Sequence, residues 1–250
     1  KVHISTEELE IAEEETTYRI TVTDPEDSTK TKEYILKIRK PSADNSLLSV
    51  TVGNEEFSKV ATREAGTNNF KVNISDKYSE VDVIGTVGYD QAKVSVNGEK
   101  YETKISTRLV EIGKNEPTKV EILVKALNGE VATYTLEIYT ENSNTNLKKV
   151  TVDGKEATIS SVSEDTYEYT LDKKADKITI GAIAEELTTK VGINTNEQEL
   201  GATYREIKME GRTLTVNIPV TAEDGTTKVY KLIINALPDN VNLLNVKVNG

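Results

Sequence analysis

The chain of 250 residues contains no cysteine and no tryptophan, and only one histidine, one methionine and two phenylalanines. Without cysteine it cannot form disulfide bonds, thiol nucleophiles or thiolate metal sites. No apolar run approaches the ~18 residues that a membrane-spanning helix requires, so we expect no membrane insertion. Lys1 stands where an initiator methionine would, and no signal peptide is visible, so we expect a mature or excised piece of a longer protein.

Charge excludes a further class of partner. The sequence carries 42 acidic against 31 basic residues, for a net charge of −11. Such a surface repels nucleic acids and anionic lipids. The basic residues are scattered, with neither a basic patch nor a ladder of aromatic side chains, so nucleic acid is not an expected partner.

Two unrelated sequence markers recur along the chain with one spacing. A Leu-x-x-Val-x-Val pattern closed by glycine occurs at residues 47–53, 147–154 and 243–250. A Tyr-x-Leu-x-Ile pattern begins at Tyr34, Tyr134 and Tyr230. For both markers, the second copy follows the first by 100 residues and the third follows the second by 96. A shared period of this length indicates a tandem array of domains.

Within each repeat the hydrophobic pattern has a period of two, which is typical of β-strands. Val120, Ile122 and Val124 alternate with other residues, and Asn128-Gly129 then separates this run from the alternating run that starts at Tyr134. This arrangement predicts a hairpin with a type I′ turn, in which both central residues have positive φ.

The same hairpin is expected in the other copies. Asp224-Gly225 occupies the turn position in the last repeat, and a longer loop that contains Asp24-Pro25-Glu26-Asp27 occupies it in the first. Pro219 interrupts the last copy, so its nitrogen should face an unpaired edge or a bulge. Each full repeat reads as six or seven short strands, which favours a β-sandwich.

The opening Leu-x-x-Val-x-Val pattern, the acidic or Asn-Gly turn and the closing Tyr-x-Leu-x-Ile pattern together resemble the bacterial cadherin-like β-sandwich repeat family. The resemblance implies an all-β fold of tandem immunoglobulin/cadherin-like β-sandwich domains arranged end to end. It also implies a secreted protein, extracellular or at the bacterial cell surface, because similar repeats occur as tandem modules beside enzymes or adhesive domains there.

The markers also predict domain boundaries. We expect the C-terminal half of a sandwich at 1–45, complete repeats at 46–143 and 144–240, and the first strand of a further repeat at 241–250. The linkers at 40–45, 141–145 and 237–240 are short and polar, which predicts a semi-rigid rod.

We therefore expect a non-catalytic spacer that presents neighbouring domains of the same polypeptide. Two alternatives stay open: an adhesion module that binds cell-wall polysaccharide, another carbohydrate or a surface protein, and a self-assembling fibre subunit. In the second alternative, head-to-tail association would place residues 241–250 of one copy on the half repeat of another. No catalytic, cofactor-binding or metal-binding residue is predicted.

Two candidate catalytic features are better explained as surface residues. His3 lies between Val2 and Ile4 on an expected strand, so its side chain should face solvent. A catalytic triad also needs a nucleophile and an orienting acid, and no such pattern recurs around His3. The acidic run at 7–15 could supply the paired carboxylates of a glycosidase, but the chain offers few aromatic side chains to wall a cleft. A solvated strand and loop is the expected structure.

The linkers invite a comparison with calcium sites, because they contain Asp44-Asn45 and Asp239-Asn240. Calcium needs six to eight oxygen ligands, and the middle linker offers only Glu141 and asparagines. Polar turn residues are the simpler interpretation.

Tyrosine is the main aromatic residue, with 11 copies. Tyr34, Tyr134 and Tyr230 keep one register, as do Phe70 and Tyr167, which predicts a core or corner role with the hydroxyl satisfied by backbone. Four tyrosines have no counterpart in the other repeat and could form a sugar-stacking platform on one repeat: Tyr78, Tyr89, Tyr101 and Tyr204. Loss of binding on changing Tyr101 or Tyr204 to Ala would support that interpretation.

Overall fold

The computed structural model describes residues 15–113 and 116–238, and every regular element within them is a β-strand. The predicted all-β class of tandem β-sandwich domains is confirmed. His3, most of the acidic run and the strand expected at 241–250 lie outside the described residues. Two compact units are present: one has the residues up to Val72 together with Ser79–Tyr139, and the other has Asn73–Tyr78 together with the residues from Thr140 onward.

The first two strands form a hairpin that pairs with no other strand of the described residues. Strand β1 (Glu15–Thr23) pairs antiparallel with β2 (Thr31–Arg39), and Ile20 lies opposite Tyr34. Each keeps a large part of its surface in contact with solvent, 45% for Ile20 and 48% for Tyr34. The hairpin therefore presents to solvent the residue positions that the two sandwiches bury.

The first sandwich spans residues 47–141 and has ten strands in two sheets. They are β3 (Leu47–Gly53), β4 (Ser58–Val60), β5 (Thr62–Arg63), β6 (Asn69–Ser75), β7 (Glu80–Val87), β8 (Lys93–Val96), β9 (Glu102–Thr103), β10 (Ile105–Glu111), β11 (Thr118–Lys125) and β12 (Val131–Glu141). One sheet has the order β10-β7-β3-β4 and the other β5-β6-β12-β11-β8-β9. The sheets pack face to face: a Cβ added at Gly85 of β7 would lie 3.2 Å from Val94 and 3.4 Å from Ile122 of the opposite sheet.

The second sandwich spans residues 147–236 and also has ten strands. They are β13 (Leu147–Val152), β14 (Lys155–Glu156), β15 (Thr158–Ile159), β16 (Thr166–Leu171), β17 (Lys177–Ala184), β18 (Lys190–Val191), β19 (Glu199–Leu200), β20 (Ala202–Lys208), β21 (Thr213–Thr221) and β22 (Thr227–Ala236). The sheet orders are β14-β13-β17-β20 and β15-β16-β22-β21-β18-β19. Val150 and Ile180 of one sheet share a buried cluster with Ile218 and Leu232 of the other.

The two sandwiches have the same strand order, strand for strand, which is the structural form of the sequence repeat. Alternation produces the core directly, because successive side chains of a strand point to opposite faces. In β11, Val120, Ile122 and Val124 are all buried, and the residues between them face outward. The same residues pair with β12 in the register that β21 keeps with β22.

The predicted hairpins are confirmed, but the predicted turn type is wrong. Asn128 does not have positive φ, and only Gly129 does, at 94°. The Gly129 N–H donates to Ala126 O and the Ala126 N–H donates to Glu130 O. A turn followed by one left-handed glycine makes a three-residue loop, which is among the most common hairpin connections after the two-residue turn. Gly225 repeats the arrangement with φ of 89°.

Strands of four residues or more number seven in the first sandwich and six in the second, within the described residues, as the alternation predicts. The two- and three-residue strands were missed because such short runs show no periodicity.

Pro219 explains one difference between the sandwiches. The carbonyl of Pro219 accepts the Gly192 N–H just beyond β18, so its nitrogen faces the side where that strand has ended. Strand β8 has no such obstacle and pairs over four residues.

The predicted core position of these tyrosines holds in the two sandwiches and fails in the hairpin. The predicted bond from the hydroxyl to backbone forms at Tyr134, whereas the Tyr230 hydroxyl donates to the Asn146 side chain at 3.5 Å. Tyr134 and Tyr230 are buried, and their rings lie 6.2 Å from Phe70 and 6.0 Å from Tyr167, centroid to centroid. Tyr34 has the same sequence context, but its ring is half exposed because no second sheet covers β2 in the described residues.

Candidate functional site

An open recess of about 240 Å³ lies on the outer face of the six-stranded sheet of the first sandwich. We call it the Tyr101 cavity, and its lining residues are Gln91, Lys93, Tyr101, Lys125, Ala126 and Leu127. Lys93 begins β8, Lys125 ends β11 and Tyr101 immediately precedes β9. The cavity combines an aromatic ring and an aliphatic side chain with one amide and two ammonium groups.

The two lysines lie directly opposite each other on neighbouring strands. The β8–β11 ladder pairs Lys93 with Lys125. Side chains that are directly opposite on neighbouring strands are close enough to interact, and like charges there are destabilising. Neither ammonium group forms an ion pair with any carboxylate in the described part of the chain. The pair therefore concentrates positive charge on a chain whose net charge is −11.

The other end of the same strand shows the usual arrangement. Lys119 lies opposite Glu137 on β12, and the Lys119 ammonium is 3.2 Å from the Glu137 carboxylate. Two carboxylates that are close in sequence to the lining residues are engaged or turned away. Asp90 forms an ion pair with Lys104 at 3.3 Å. Glu102 lies opposite Val94, a core residue, and therefore on the other face of the sheet from Lys93.

The second sandwich lacks this combination at the equivalent positions. Lys190 replaces Lys93 and lies opposite Thr221, so the like-charge pair is gone. Gln198 precedes β19 where Tyr101 precedes β9, and Glu223 follows Ala222 where Leu127 follows Ala126. The fold of the repeat therefore does not require the Tyr101 cavity.

The sequence singled out Tyr101 because it has no aromatic counterpart in the other repeat, and the structure places it in a cavity. Lys93, Lys125 and Gln91 were missed. Two lysines 32 positions apart carry no signal until the strand register brings them together. Knowledge of the β8–β11 register would have identified the pair.

Tyr204, another of the four tyrosines proposed for a sugar platform, has a structural role in a different sandwich. It lies directly opposite Gly181 on the neighbouring strand. A Cβ added at Gly181 would lie 2.7 Å from the Tyr204 ring and 2.5 Å from Thr151 Oγ1. An aromatic ring that covers a strand glycine protects the backbone there. Although Tyr204 is 63% exposed, this packing explains its presence without a ligand.

The linkers hold a second repeated arrangement of polar groups. Before the first sandwich, the Asp44 N–H donates to Ser42 Oγ and the Ser46 N–H donates to Asp44 Oδ1, at 3.1 and 2.9 Å. A hydrogen bond from the Ser46 side chain, and after it the bond from the Ser46 N–H, hold the pKa of the Asp44 carboxyl below its usual range. The Asn128 N–H donates to Ser42 O. Asp44 thus acts as a turn residue, as the sequence indicated.

The linker before the second sandwich has the same arrangement with asparagines. The Asn144 N–H donates to Asn142 Oδ1 at 2.8 Å and the Asn146 N–H donates to Asn144 Oδ1 at 2.7 Å. The Asp224 N–H donates to Asn142 O, as Asn128 does to Ser42 in the first linker. Local side-chain-to-backbone bonds of this kind fix the course of a chain without regular structure.

Further contacts hold this second linker. The buried Thr189 hydroxyl donates to Asn144 O at 2.8 Å. The Asp76 carboxylate accepts the N–H and the hydroxyl of Ser143.

Other predicted features bring no chemistry together. Asp239 and Asn240, like His3, lie outside the described residues. Within the described ranges, no group of three histidine, cysteine or acidic side chains could hold a metal ion. Glu15, the last residue of the acidic run, is paired with Lys37 and Arg39 across the hairpin. The Arg39 hydrogen bond lowers the pKa of the Glu15 carboxyl. The described residues contain no helix of the length and apolar character needed to cross a bilayer.

Comparison with known proteins finds one family model that matches part of the chain. The family model described as "Cadherin-like beta sandwich domain" matches residues 146–236. No curated protein matches the chain.

Solved structures that are similar to the chain include the fibronectin(III)-like modules of Clostridium thermocellum CbhA, at 10% identity and a TM-score of 0.30, over 75% of this chain and 100% of that one. The human desmocollin-1 ectodomain is 10% identical with a TM-score of 0.27, over 92% of this chain and 46% of that one. The protocadherin gamma B7 extracellular cadherin domains 1–4 are also 10% identical, with a TM-score of 0.27, over 91% of this chain and 68% of that one. At these scores the likenesses carry no argument about function.

The family match covers the whole second sandwich, and the first sandwich repeats its strand order. Residues 146–236 are therefore similar in sequence to a cadherin-like beta sandwich domain, and the chain carries a second sandwich with the same strand order.

Proposed function

We propose that this chain is a non-catalytic spacer of an extracellular or cell-surface protein, which holds neighbouring domains of the same polypeptide at a set separation. The observation that carries the proposal is the repeated linker arrangement. Positions 42, 44 and 46 and positions 142, 144 and 146 make the same chain of local bonds, and each linker also receives an N–H from a hairpin turn.

Ordered linkers are what a spacer needs. A flexible polar linker lets adjacent domains sample many separations, whereas a linker held by hydrogen bonds restricts them. Asn142 alone uses both atoms of its amide group, because its Oδ1 accepts from Asn144 and its Nδ2 donates to the hydroxyls of Thr188 and Thr189. These contacts support a restricted linker and give no support to a catalytic role.

The absence of cysteine makes a direct test simple, because labels can be placed at single introduced thiols. Leu48 and Val162 are exposed residues, one in each sandwich. Spin labels on Leu48→Cys and Val162→Cys in the full chain should give one narrow distance distribution in pulsed electron resonance. A distribution as broad as that of an unstructured tether would contradict the spacer proposal.

A variant identifies the cause of the narrow distribution. Asn142→Ala combined with Asn144→Ala removes both acceptors of the linker and should broaden the distribution. Asn196→Ala, at an exposed loop asparagine outside the linker, is the matched control and should leave it narrow. Equal widths for both variants would show that the linker bonds do not set the spacing.

A binding module remains a second proposal, because the first sandwich carries a cavity that the second sandwich lacks.

Head-to-tail self-association also stays a prediction. The hairpin face around Leu36 is exposed, while the segment expected to cover it, 241–250, lies outside the described residues. Sedimentation of the full chain at increasing concentration tests it: Leu36→Lys should weaken any association, whereas Ile35→Lys, on the other face of the hairpin, should not.

A further inference from the structure

We propose that the Tyr101 cavity binds a carboxylate-bearing sugar ring, as in a uronic acid residue of an anionic polysaccharide. The proposal goes beyond the spacer function and does not depend on it. It rests on the cross-strand lysine pair, the aromatic ring beside it and the restriction of both to one sandwich.

The lysine pair indicates an anion. Lys93 and Lys125 lie directly opposite each other, and no carboxylate in the described ranges forms an ion pair with either. A ligand carboxylate bound at both ammonium groups would remove the repulsion between them. At the other end of β11, Lys119 already has such a partner within the protein, because the Glu137 carboxylate of β12 neutralises its ammonium group.

The remaining lining residues indicate a sugar. Binding sites combine an apolar surface with a few placed polar groups that fix orientation. The Tyr101 ring and the Leu127 side chain offer surface to the C–H face of a pyranose, and the Gln91 amide can donate to and accept from ring hydroxyls. The volume of about 240 Å³ lies below the roughly 300 Å³ at which pockets for drug-sized molecules begin, which suits one ring.

The second sandwich serves as an internal reference for the site. It keeps the strand order and the core but has Thr221 for Lys125, Gln198 for Tyr101 and Glu223 for Leu127. Each difference removes a feature that the proposed ligand needs, and Glu223 would repel a carboxylate. These residues also supply substitutions that the fold is known to accommodate at equivalent positions.

The binding test uses the full chain and three oligosaccharides: trigalacturonic acid, the neutral galactotriose and a sulfated galactotriose. Trigalacturonic acid should shift the amide resonances of residues in β8, β9 and the end of β11, and added salt should weaken its binding. Equal binding of the neutral sugar, tighter binding of the sulfated sugar, or no binding of trigalacturonic acid at millimolar concentration would each overturn the proposal.

Variants locate the site. Lys125→Thr should weaken trigalacturonic acid binding about three- to fivefold, the loss expected for one exposed charge pair. Tyr101→Gln should weaken it about tenfold through loss of the ring contact. Lys119→Thr, on the same strand but paired with Glu137, is the matched control and should change it less than about twofold. Unchanged binding by both cavity variants would overturn the proposal.

A measurement without ligand tests the lysine repulsion separately. Lys125→Thr should raise the melting temperature of the ligand-free chain at low salt, and added salt should reduce the gain. Lys119→Thr makes the same change in strand propensity but breaks an ion pair, so the melting temperature should rise less than in Lys125→Thr, or fall. A melting temperature for Lys125→Thr no higher than that for Lys119→Thr would contradict the repulsion. The spin-label distances test the spacer function without ligand, so the two proposals fail separately.

Discussion

The Tyr134 hydroxyl accepts the backbone N–H of Leu47 and donates to the backbone carbonyl of Asn45, each at 3.2 Å. These residues are nearly a whole repeat apart in sequence. Leu47 begins the first strand of one sheet and Tyr134 lies on the last strand of the other. One phenol therefore satisfies two backbone groups at the point where the linker enters the sandwich, and it ties the two sheets together there.

Removal of this hydroxyl should destabilise the first sandwich. Tyr134→Phe keeps the ring and its contact with Phe70 but leaves the buried Leu47 N–H without its acceptor. An unsatisfied buried group costs about 1–3 kcal/mol, so the free energy of unfolding should fall by that amount. Hydrogen exchange of peptides from β3 and β12 in the full chain measures it. Tyr34→Phe in the half-exposed hairpin is the control, with an expected change within about 0.5 kcal/mol.

The pair Tyr134 and Tyr34 also shows what sequence can and cannot predict. Both belong to the same Tyr-x-Leu-x-Ile pattern, which correctly predicts the strand and the hairpin partner. Burial is not encoded in that pattern, because it depends on a second sheet supplied by distant residues. The pattern therefore predicts a buried tyrosine at both positions and is correct at one.

The leucines two positions after these tyrosines, Leu36 and Leu136, form a matched pair for comparing the free energy of packing. Leu136 is fully buried and Leu36 is 39% exposed, although both occupy the same place in the hairpin register. Leu136→Ala should lower the free energy of unfolding of the first sandwich by about 2–5 kcal/mol, because it leaves a cavity in a close-packed core. Leu36→Ala should change stability by less than about 1 kcal/mol. Similar losses in both variants, measured by denaturant unfolding of the full chain, would mean that the hairpin face is covered in solution.

The turn glycine should matter through its backbone conformation alone. Gly225 has φ of 89°, and a Cβ added there would meet no atom within 4 Å. Gly225→Ala should destabilise the second sandwich by about 1–2 kcal/mol, and Gly225→Asn should cost less because asparagine tolerates left-handed φ. Gly211→Ala is the control, since Gly211 is not left-handed and its added Cβ would make only ordinary contacts. Equal losses for alanine and asparagine at 225, measured by hydrogen exchange of β21 and β22, would contradict this explanation.

The candidate site was less predictable than the fold because its residues come together through register. The Asn-Gly and Asp-Gly pairs predict the hairpins, because turn chemistry is local. They do not predict that only the glycine of each pair has positive φ. Tyr101 could be picked out because it breaks the repeat. Lys93 and Lys125 obey no local rule, and their opposition depends on how β8 pairs with β11, which alternation alone leaves open.

An electrostatic prediction concerns the outer face of the same sheet. The Tyr139 hydroxyl donates to the Glu137 carboxylate at 2.7 Å, and the Lys119 ammonium lies 3.2 Å from the same carboxylate. The Tyr139 hydrogen bond is the main cause of a lowered pKa at Glu137, and Lys119 adds to it. In return, the Glu137 carboxylate raises the pKa of the Tyr139 phenol.

Tyr139→Phe should therefore move the pKa of Glu137 upward, toward the ordinary value of 4.5. A carboxyl whose pKa is lowered on folding contributes stability above its unfolded pKa and loses it as the pH falls through the folded pKa, so the variant should lose less stability on acidification than the parent chain. Carbon-detected NMR titration of the glutamate side chains measures the shift, with Tyr101→Phe as the control. Reciprocally, Glu137→Gln should lower the pKa of Tyr139. If Glu137 titrates identically in the parent chain and in Tyr139→Phe, the hydroxyl is not bonded to the carboxylate in solution, and Lys119 and Lys71 lower the pKa of Glu137 without it.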